Sequence, residues 1–446
     1  MSMHWEQLLC AQRLGRKPAK TEAGRSPFLS DHDKIIFSGA FRRLARKTQV
    51  HPMATNDHIH NRMTHSLEVA CVGRSLAIRV GQALQTQQRL PDNLLPTDLG
   101  DIVQSTCLAH DIGNPPFGHT GEEAMRNWFS LKGEDYLHHL NTRERNDLLH
   151  FEGNAQGLRI LTTSEYHQFD GGMRLTYATL GAFIKYPWGS NEANPPRSNK
   201  FGIYQTESTL VQEIAFQTGL IKQKAGFYCR HPLVYLMEAA DDFCYGILDL
   251  EDGLEMGLVT WDEIFGIIEP VLNNTELSSI KNDIHSIEVG RRPSFIRGKV
   301  IEAYIDAGVK AFMEHEEDFL AGKVPTDLIS LCRPEVTKSV EKAKALAKQR
   351  IFSHPRKVEL EIGAYDVISR LLDKTIPAID EWFKQGGTTV SKESEMMINL
   401  IGSKNLPKDG NYYQTLMAGV DFVSGMTDNY ASHLARQFSG LAYSNY

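Results

Sequence analysis

The sequence predicts an all-α protein. Two observations carry this. Apolar residues recur at helical spacing along most of the 446 residues, with short breaks between runs, and few segments show strand-like alternation. No Walker loop, no dinucleotide fingerprint and no internal repeat interrupts the pattern, so any phosphate must be held by side chains and a cation. The chain is 41% hydrophobic and 23% charged, ample for a large core. The expected organisation is an N-terminal arm over 1–29, a helical core over 30–255 and a helical C-terminal region over 256–446 packed on it.

Taken in order, residues 8 to 30 are basic with Gly and Pro, and read as an arm or loop. A helix is predicted over 33–47, with Asp31 just before it and Ile35, Ile36, Phe37, Ala40, Phe41 and Leu44 on one stripe. Arg42, Arg43, Arg46 and Lys47 cluster at its end and lead into Thr48-Gln49-Val50-His51. Asn61 is a candidate N-cap for a helix running to about residue 83. Arg62 and His65, three apart, share its face. A polar connection over 84–97 precedes the apolar run Leu99 to Thr106, and this helix cannot pass Pro115-Pro116. His110 and Asp111 therefore fall in its last turn. A lone His-Asp pair is ordinarily a cap beside a satisfied core histidine. Here the loop also carries His119 and Glu122 at helical spacing, with a new helix expected near Glu122.

The charged, His-rich stretch 133–150 reads as a solvated surface turn or short helix. A helix over 178–186 ends at Lys185-Tyr186-Pro187-Trp188, and 189–200 is a loop long enough for a lid or an oligomer contact. Pro232 suits the first turn of a helix in which Asp241, Tyr245 and Asp249, at i, i+4 and i+8, line one face, with Asp242 about a quarter-turn away. An Asp inside so apolar a helix is costly to bury unless paired or bound to metal. Further helical stripes recur near 260–272, 298–321, 336–350, 356–374 and 411–437.

The formal charge of -7 argues against a protein-wide nucleic-acid footprint. Six cysteines form no CxxC pair, which suits a reducing cytosol and argues against a thiolate zinc site. The N-terminus has no apolar signal region and no run is long enough to span a bilayer, so the expectation is a soluble, cytoplasmic protein with no membrane partner. The costly groups His65, His110, Asp111 and Asp241 fall on three predicted helices. Two imidazoles and two carboxylates suit Mn²⁺ or Mg²⁺, with iron, nickel or zinc as alternatives. Such a site polarises a phosphoryl oxygen and lowers the pKa of a bound water.

The H…HD…D order resembles the HD-domain metal-dependent phosphohydrolases. Longer blocks narrow the resemblance: Phe41-Arg42-Arg43-Leu44 with Lys47-Thr48-Gln49-Val50, His60-Asn61-Arg62-Met63-Thr64-His65-Ser66-Leu67-Glu68-Val69, His110-Asp111-Ile112-Gly113-Asn114-Pro115-Pro116-Phe117-Gly118-His119, Lys185-Tyr186-Pro187-Trp188 and Glu238-Ala239-Ala240-Asp241-Asp242. In this order they look like the dGTP triphosphohydrolase (dGTPase, dNTPase) family, over roughly residues 30 to 255. The resemblance implies an HD-type helical core and cleavage of a deoxynucleoside triphosphate (dNTP) between the 5′ oxygen and the α-phosphorus, giving a deoxynucleoside and intact triphosphate. It implies metal ligation by His65, His110, Asp111 and Asp241 and a catalytic pair His119 and Glu122. Arg62 and Lys185, with Tyr186 beside them, would hold the triphosphate. Gln49 and Val50 would contact the sugar and its surroundings, Tyr245 would stack under the deoxyribose and exclude a 2′-hydroxyl, and Asp249 would recognise the 3′-hydroxyl. It also implies homo-oligomers, commonly hexamers, and in some members a response to single-stranded DNA or dNTP effectors. Two other readings stand beside it: an HD phosphohydrolase of nucleoside monophosphates or cyclic nucleotides, and a nucleotide- or DNA-responsive sensor. The Tyr245/Asp249 and Lys185–Trp188 blocks argue against the first, and the His119/Glu122 pair against the second. Base-reading groups are expected in the C-terminal third, where Arg350, Glu359 and Glu361 are unplaced candidates.

Overall fold

The computed structural model describes residues 2–15, 24–49, 59–165, 172–192, 200–224, 226–388, 391–407 and 409–440. Among them regular structure is helical, and β-pairing is limited to isolated bridges such as Thr48 with Asn61. No helix of the described residues is long and apolar enough to cross a membrane.

The first helices differ from the single one predicted over 33–47. Ser26 caps α1 (Pro27–Ile36), its Oγ accepting from Leu29 N. Ser38 then takes extended backbone and caps a second short helix, Gly39–Arg43, through Phe41 N. This break turns Phe37 out to 73% exposure, off the core stripe on which its spacing placed it. Asn61 caps α2 (Arg62–Thr86) as expected, accepting from Met63 N and Thr64 N.

Helix α2 packs along α3 (Pro96–Ala109). Val69, Val72, Leu76 and Val80 on α2 and Leu99, Ile102 and Val103 on α3 are buried in one core. Each such side chain stabilises the fold by about 1.5–3 kcal/mol when fully buried. The turn after α3 leads into α4 (Gly118–Leu131), which begins four residues before Glu122. Next come α5 (Gly153–Arg159) and α6 (Tyr177–Phe183). Helix α6 stops short of the predicted end at 186, because Pro187 disfavours helical backbone at Tyr186. The stretch 133–150, read as surface, forms the short helices Glu134–Leu137 and Thr142–Leu149 and buries Asp147 to 1% exposure.

Helix α7 (Pro232–Tyr245) is buried along nearly its whole length and closes at Gly246. Asp249 lies on the next helix, α8 (Leu248–Glu255), so the single face predicted for Asp241, Tyr245 and Asp249 is broken by a turn. The C-terminal third supplies α9 (Pro334–Leu346), α10 (Pro355–Lys384), α11 (Tyr412–Ser424) and α12 (Asp428–Phe438). It also holds Asn274–Asp283 and Lys392–Ile401, which no predicted stripe covered. Helices α10 to α12 form a second core with Trp128, Phe129, Phe151 and Tyr204. Polar ties reinforce it: Trp128 Nε1 donates to Asp373 at 2.7 Å, and the Tyr413 hydroxyl donates to Asp147. At the other end of the chain, Met3, Trp5 and Leu8 are buried in the first core.

One close approach holds the His-Asp turn. A Cβ on Gly113 would sit 2.1 Å from the Gly153 carbonyl oxygen and 2.2 Å from Gly157 N, both backbone atoms of α5 or its first turn. Gly113→Ala must push α5 away. We expect a loss of about 3 kcal/mol, the upper part of the overpacking range, read as a lower urea midpoint.

Candidate active site

The four costly groups meet where α2, α3 and α7 converge. His65, His110 and Asp111 each offer one ligand atom, all within 4.8 Å of one another. Asp241 Oδ1 lies 3.0 Å from His65 Nε2 and 3.6 Å from His110 Nε2. The donor set fits a divalent cation on its own chemistry. His110 Nδ1 donates to the Cys107 carbonyl at 2.6 Å, which leaves Nε2 as the bare nitrogen turned into the cluster. That Nε2 is buried and makes no hydrogen bond. Burial alone would raise the carboxyl pKa of Asp111, but Arg62, His110 and His65 outweigh it and hold the group well below the ordinary range. Asp241 is held low in the same way, by His110 and His65 against burial. Both carboxylates are therefore anionic at neutral pH, as ligands must be.

Around this cluster runs a cavity of about 660 Å³. On one side Arg62 Nη1 donates to Asp111 Oδ2 at 2.7 Å. Lys185 Nζ lies 3.5 Å from Glu238 Oε1, close to the Tyr186 ring, and the charge of Glu238 keeps it protonated despite its burial. The His119 ring is 82% exposed, with Nδ1 3.3 Å from Glu122 Oε2. Glu122 is buried beneath it and accepts from Gly153 N at 2.8 Å. Burial opposes its ionisation, yet the bond to His119 and the charges of Lys200 and Arg126 hold its pKa below the usual carboxylate range. The turn carrying His119 is strained. Phe117 has φ +65°, rare for an aromatic residue and costing about 1–3 kcal/mol. Gly118 follows at φ +57°, and a Cβ there would lie 2.6 Å from Arg62 Nη2.

Tyr245 and Asp249 line the floor. The Tyr245 ring sits 5.1 Å from that of His65, and its hydroxyl accepts from Gln49 Nε2 at 3.1 Å. Asp249 is buried beside Asp252 and Asp241, and burial and those two charges push its carboxyl pKa well up. The structure thus brings together every predicted site residue except Val50, which lies outside the described residues; His65 sits just behind the wall as a neighbour of Asp241. The cavity has a further wall that sequence reasoning missed. Lys344, Lys348, Phe352 and Lys357 come from the C-terminal third. Of the three unplaced candidates only Glu361 lines it, while Arg350 pairs with Glu263 on the surface. Asp242, set aside for its angle, also faces the cavity and pairs with Lys344 at 2.6 Å.

A charged staple stands behind the site. His60 Nδ1 lies 2.7 Å from Asp252 Oδ1 and Nε2 lies 3.0 Å from Glu68 Oε2, tying α8 to α2. Burial works against its charge, but the two carboxylates raise its pKa to about 10. A group raised above its unfolded value stabilises in full below that value, about 6.5, and loses this as pH rises through the folded one. The stability gap between wild type and His60→Gln should therefore be widest near pH 6 and shrink towards about pH 10, as urea titrations across that range would read.

A helical fold with a His-His-Asp cluster in a helix-turn at its centre is the HD-domain class, and the HD domain family matches residues 62–200. A deoxyguanosinetriphosphate triphosphohydrolase-like protein of Pseudomonas aeruginosa is 48% identical over 444 residues, 98% of this chain and 99% of its own. A like-named protein of Synechocystis is 37% identical over 458 residues, 99% of this chain and 100% of its own. The deoxyguanosinetriphosphate triphosphohydrolase of Salmonella paratyphi A is 30% identical over 474 residues, 91% and 92% of the two chains. With identity spread over nearly its whole length, the chain belongs to the deoxyguanosinetriphosphate triphosphohydrolase family.

Proposed function

We propose that the protein hydrolyses deoxynucleoside triphosphates, dGTP among them, to deoxynucleoside and inorganic triphosphate. The observation that carries this is one cavity in which a cation-binding cluster, two buried cationic side chains, a His-carboxylate pair and a Tyr/Asp floor face one another. His65, His110, Asp111 and Asp241 would hold the cation, Mn²⁺ or Mg²⁺ before iron, nickel or zinc. When bound, it supplies charge neutralisation and polarisation at the α-phosphate. Arg62 and Lys185 grip the triphosphate from one side, with Tyr186 packed beside Lys185. Tyr245 would stack under the deoxyribose, Asp249 would bond its 3′-hydroxyl, and Gln49 would contact the sugar. His119 moves a proton at the attacking water or at the departing 5′ oxygen, with Glu122 orienting its ring.

A cation that binds only the folded state raises its stability, by about 2.7 kcal/mol at a hundred times its dissociation constant. Saturating Mn²⁺ should therefore raise the melting temperature of the wild type and leave that of His110→Ala unchanged, in calorimetry without nucleotide. The reading also carries a homo-oligomer, a hexamer by family likeness, and an effector response to single-stranded DNA or dNTPs. Six unpaired cysteines suit a cytoplasmic location. The reaction is tested by separating the products from each of the four dNTPs, GTP and dGMP, with Mg²⁺ or Mn²⁺. The expected products are deoxynucleoside and intact triphosphate, with GTP spared by Tyr245. Orthophosphate from dGMP, with the triphosphates untouched, would move the chain to the monophosphatase reading.

A further inference from the structure

Two buried charges outside the reacting groups tie distant segments together at the site. Lys47, 3% exposed, donates through Nζ to the Asn114 carbonyl and, at 2.9 Å, to that of Ser424. Asp428, 2% exposed, divides its two oxygens. Oδ2 accepts from Thr48 N at 2.9 Å and from Thr48 Oγ1 at 2.6 Å, while Oδ1 accepts from Phe117 N at 2.9 Å. Between them they join the strap 47–49, the turn 114–118 and the junction of α11 with α12.

Two of the tied segments deliver a group to the cavity. The strap carries Gln49 to the Tyr245 hydroxyl. The turn carries His119 directly after the left-handed pair Phe117 and Gly118. Asp428 bonds the N–H of the strained residue itself. Its carboxylate is not needed to start its own helix, because Thr427 caps α12 by accepting from Tyr430 N. The side chain is thus free to face two segments of the site more than 300 residues away in sequence.

We propose that Asp428, seconded by Lys47, is a positioning residue of this site: a latch from the C-terminal helices that holds the His119 turn in its left-handed form and keeps the Gln49 strap in register with it. Its effect on turnover rests on the hydrolase reading above; the latch itself does not. A carboxylate can accept on both oxygens, whereas an amide accepts on one and presents N–H groups on the other. Asp428→Asn therefore breaks one of the two ties without changing side-chain volume.

The test compares full-length wild type and Asp428→Asn by amide hydrogen exchange without nucleotide, and by steady-state kinetics on whichever dNTP the wild type cleaves. We expect faster exchange in peptides covering 113–121 or 45–49, with the rest of the chain unchanged. We expect kcat to fall about 10–100-fold, the cost of misplacing a catalytic group by about an ångström. Phe117→Gly in the same background should recover kcat, since glycine holds a positive φ without strain. Should Asp428→Asn fail to fold, Thr48→Val, which removes only the hydroxyl tie, should raise KM, and Thr48→Ser should restore it. Unchanged exchange in both segments, or a normal kcat per folded molecule, would overturn the latch, as would a Phe117→Gly that rescues nothing. A wild type that cleaves no triphosphate would sink the hydrolase reading alone, and the exchange comparison would still decide the latch.

Discussion

Replacing His119 with alanine should lower kcat by about 10²–10⁴-fold, the usual worth of a positioned acid or base, while Mn²⁺ uptake and melting temperature stay close to wild type. The geometry separates these readouts. The ring is 82% exposed, so its removal opens no core cavity. Glu122 beneath it keeps the Gly153 N–H, with Arg126 3.5 Å and Lys200 3.8 Å away, so no buried charge is left uncompensated. The four groups proposed to hold the cation lie on other elements, and none hydrogen-bonds to His119. Glu122→Gln should give a smaller loss in kcat, because the ring stays but its orienting charge goes. Near-normal turnover in His119→Ala with the cation bound would remove this residue from the chemistry.

Replacing Arg159 with alanine should destabilise the protein by about 3–5 kcal/mol, the measured range for breaking a buried ion pair by removing one partner. Arg159 is 6% exposed on α5. Its Nε and Nη2 donate to Asp421 on α11, the latter at 2.8 Å, and Nη1 donates to Glu207 at 3.0 Å. Removing the guanidinium leaves the buried Glu207 and the half-buried Asp421 facing each other with one cation fewer. The loss would appear as a lower urea midpoint with an unchanged slope. A triple change to apolar residues, Arg159→Met with Asp421→Leu and Glu207→Leu, should recover most of it, since no orphaned charge remains. A single variant within about 1 kcal/mol of wild type would mean that water reaches the pair, as at exposed bridges.

The sequence was most legible where chemistry and periodicity conflicted. Asp241 stood out because it interrupts an apolar helix, where burial demands a partner, and His110 and Asp111 because they close an apolar helix just before Pro115-Pro116; His65, beside Arg62 in a polar first turn, gained meaning only alongside them. The turn at Pro115-Pro116 and the Asn61 cap were readable because local residue chemistry sets them. Asp249 reached the cavity by a route the spacing did not give. Its helix restarts after Gly246, and one glycine in an apolar run is a weak signal for a turn. Asp147 looked like surface because its neighbours are charged; Tyr413, Ser190 and the Gln205 N–H bury it, and none is near in sequence. The same holds for Asp428 and for the wall of Lys344, Phe352 and Lys357. Their roles arise from packing of the C-terminal helices against α4, α5 and α7, across separations that no local pattern encodes.

In the proposed reaction, water attacks the α-phosphorus and the bond to the 5′ oxygen breaks. Running the reaction on dGTP in heavy-oxygen water and weighing both products tests it directly. The expected products are an intact triphosphate carrying the heavy oxygen and an unlabelled deoxyguanosine. Label in the deoxyguanosine 5′-hydroxyl, or labelled pyrophosphate or orthophosphate in place of triphosphate, would contradict it.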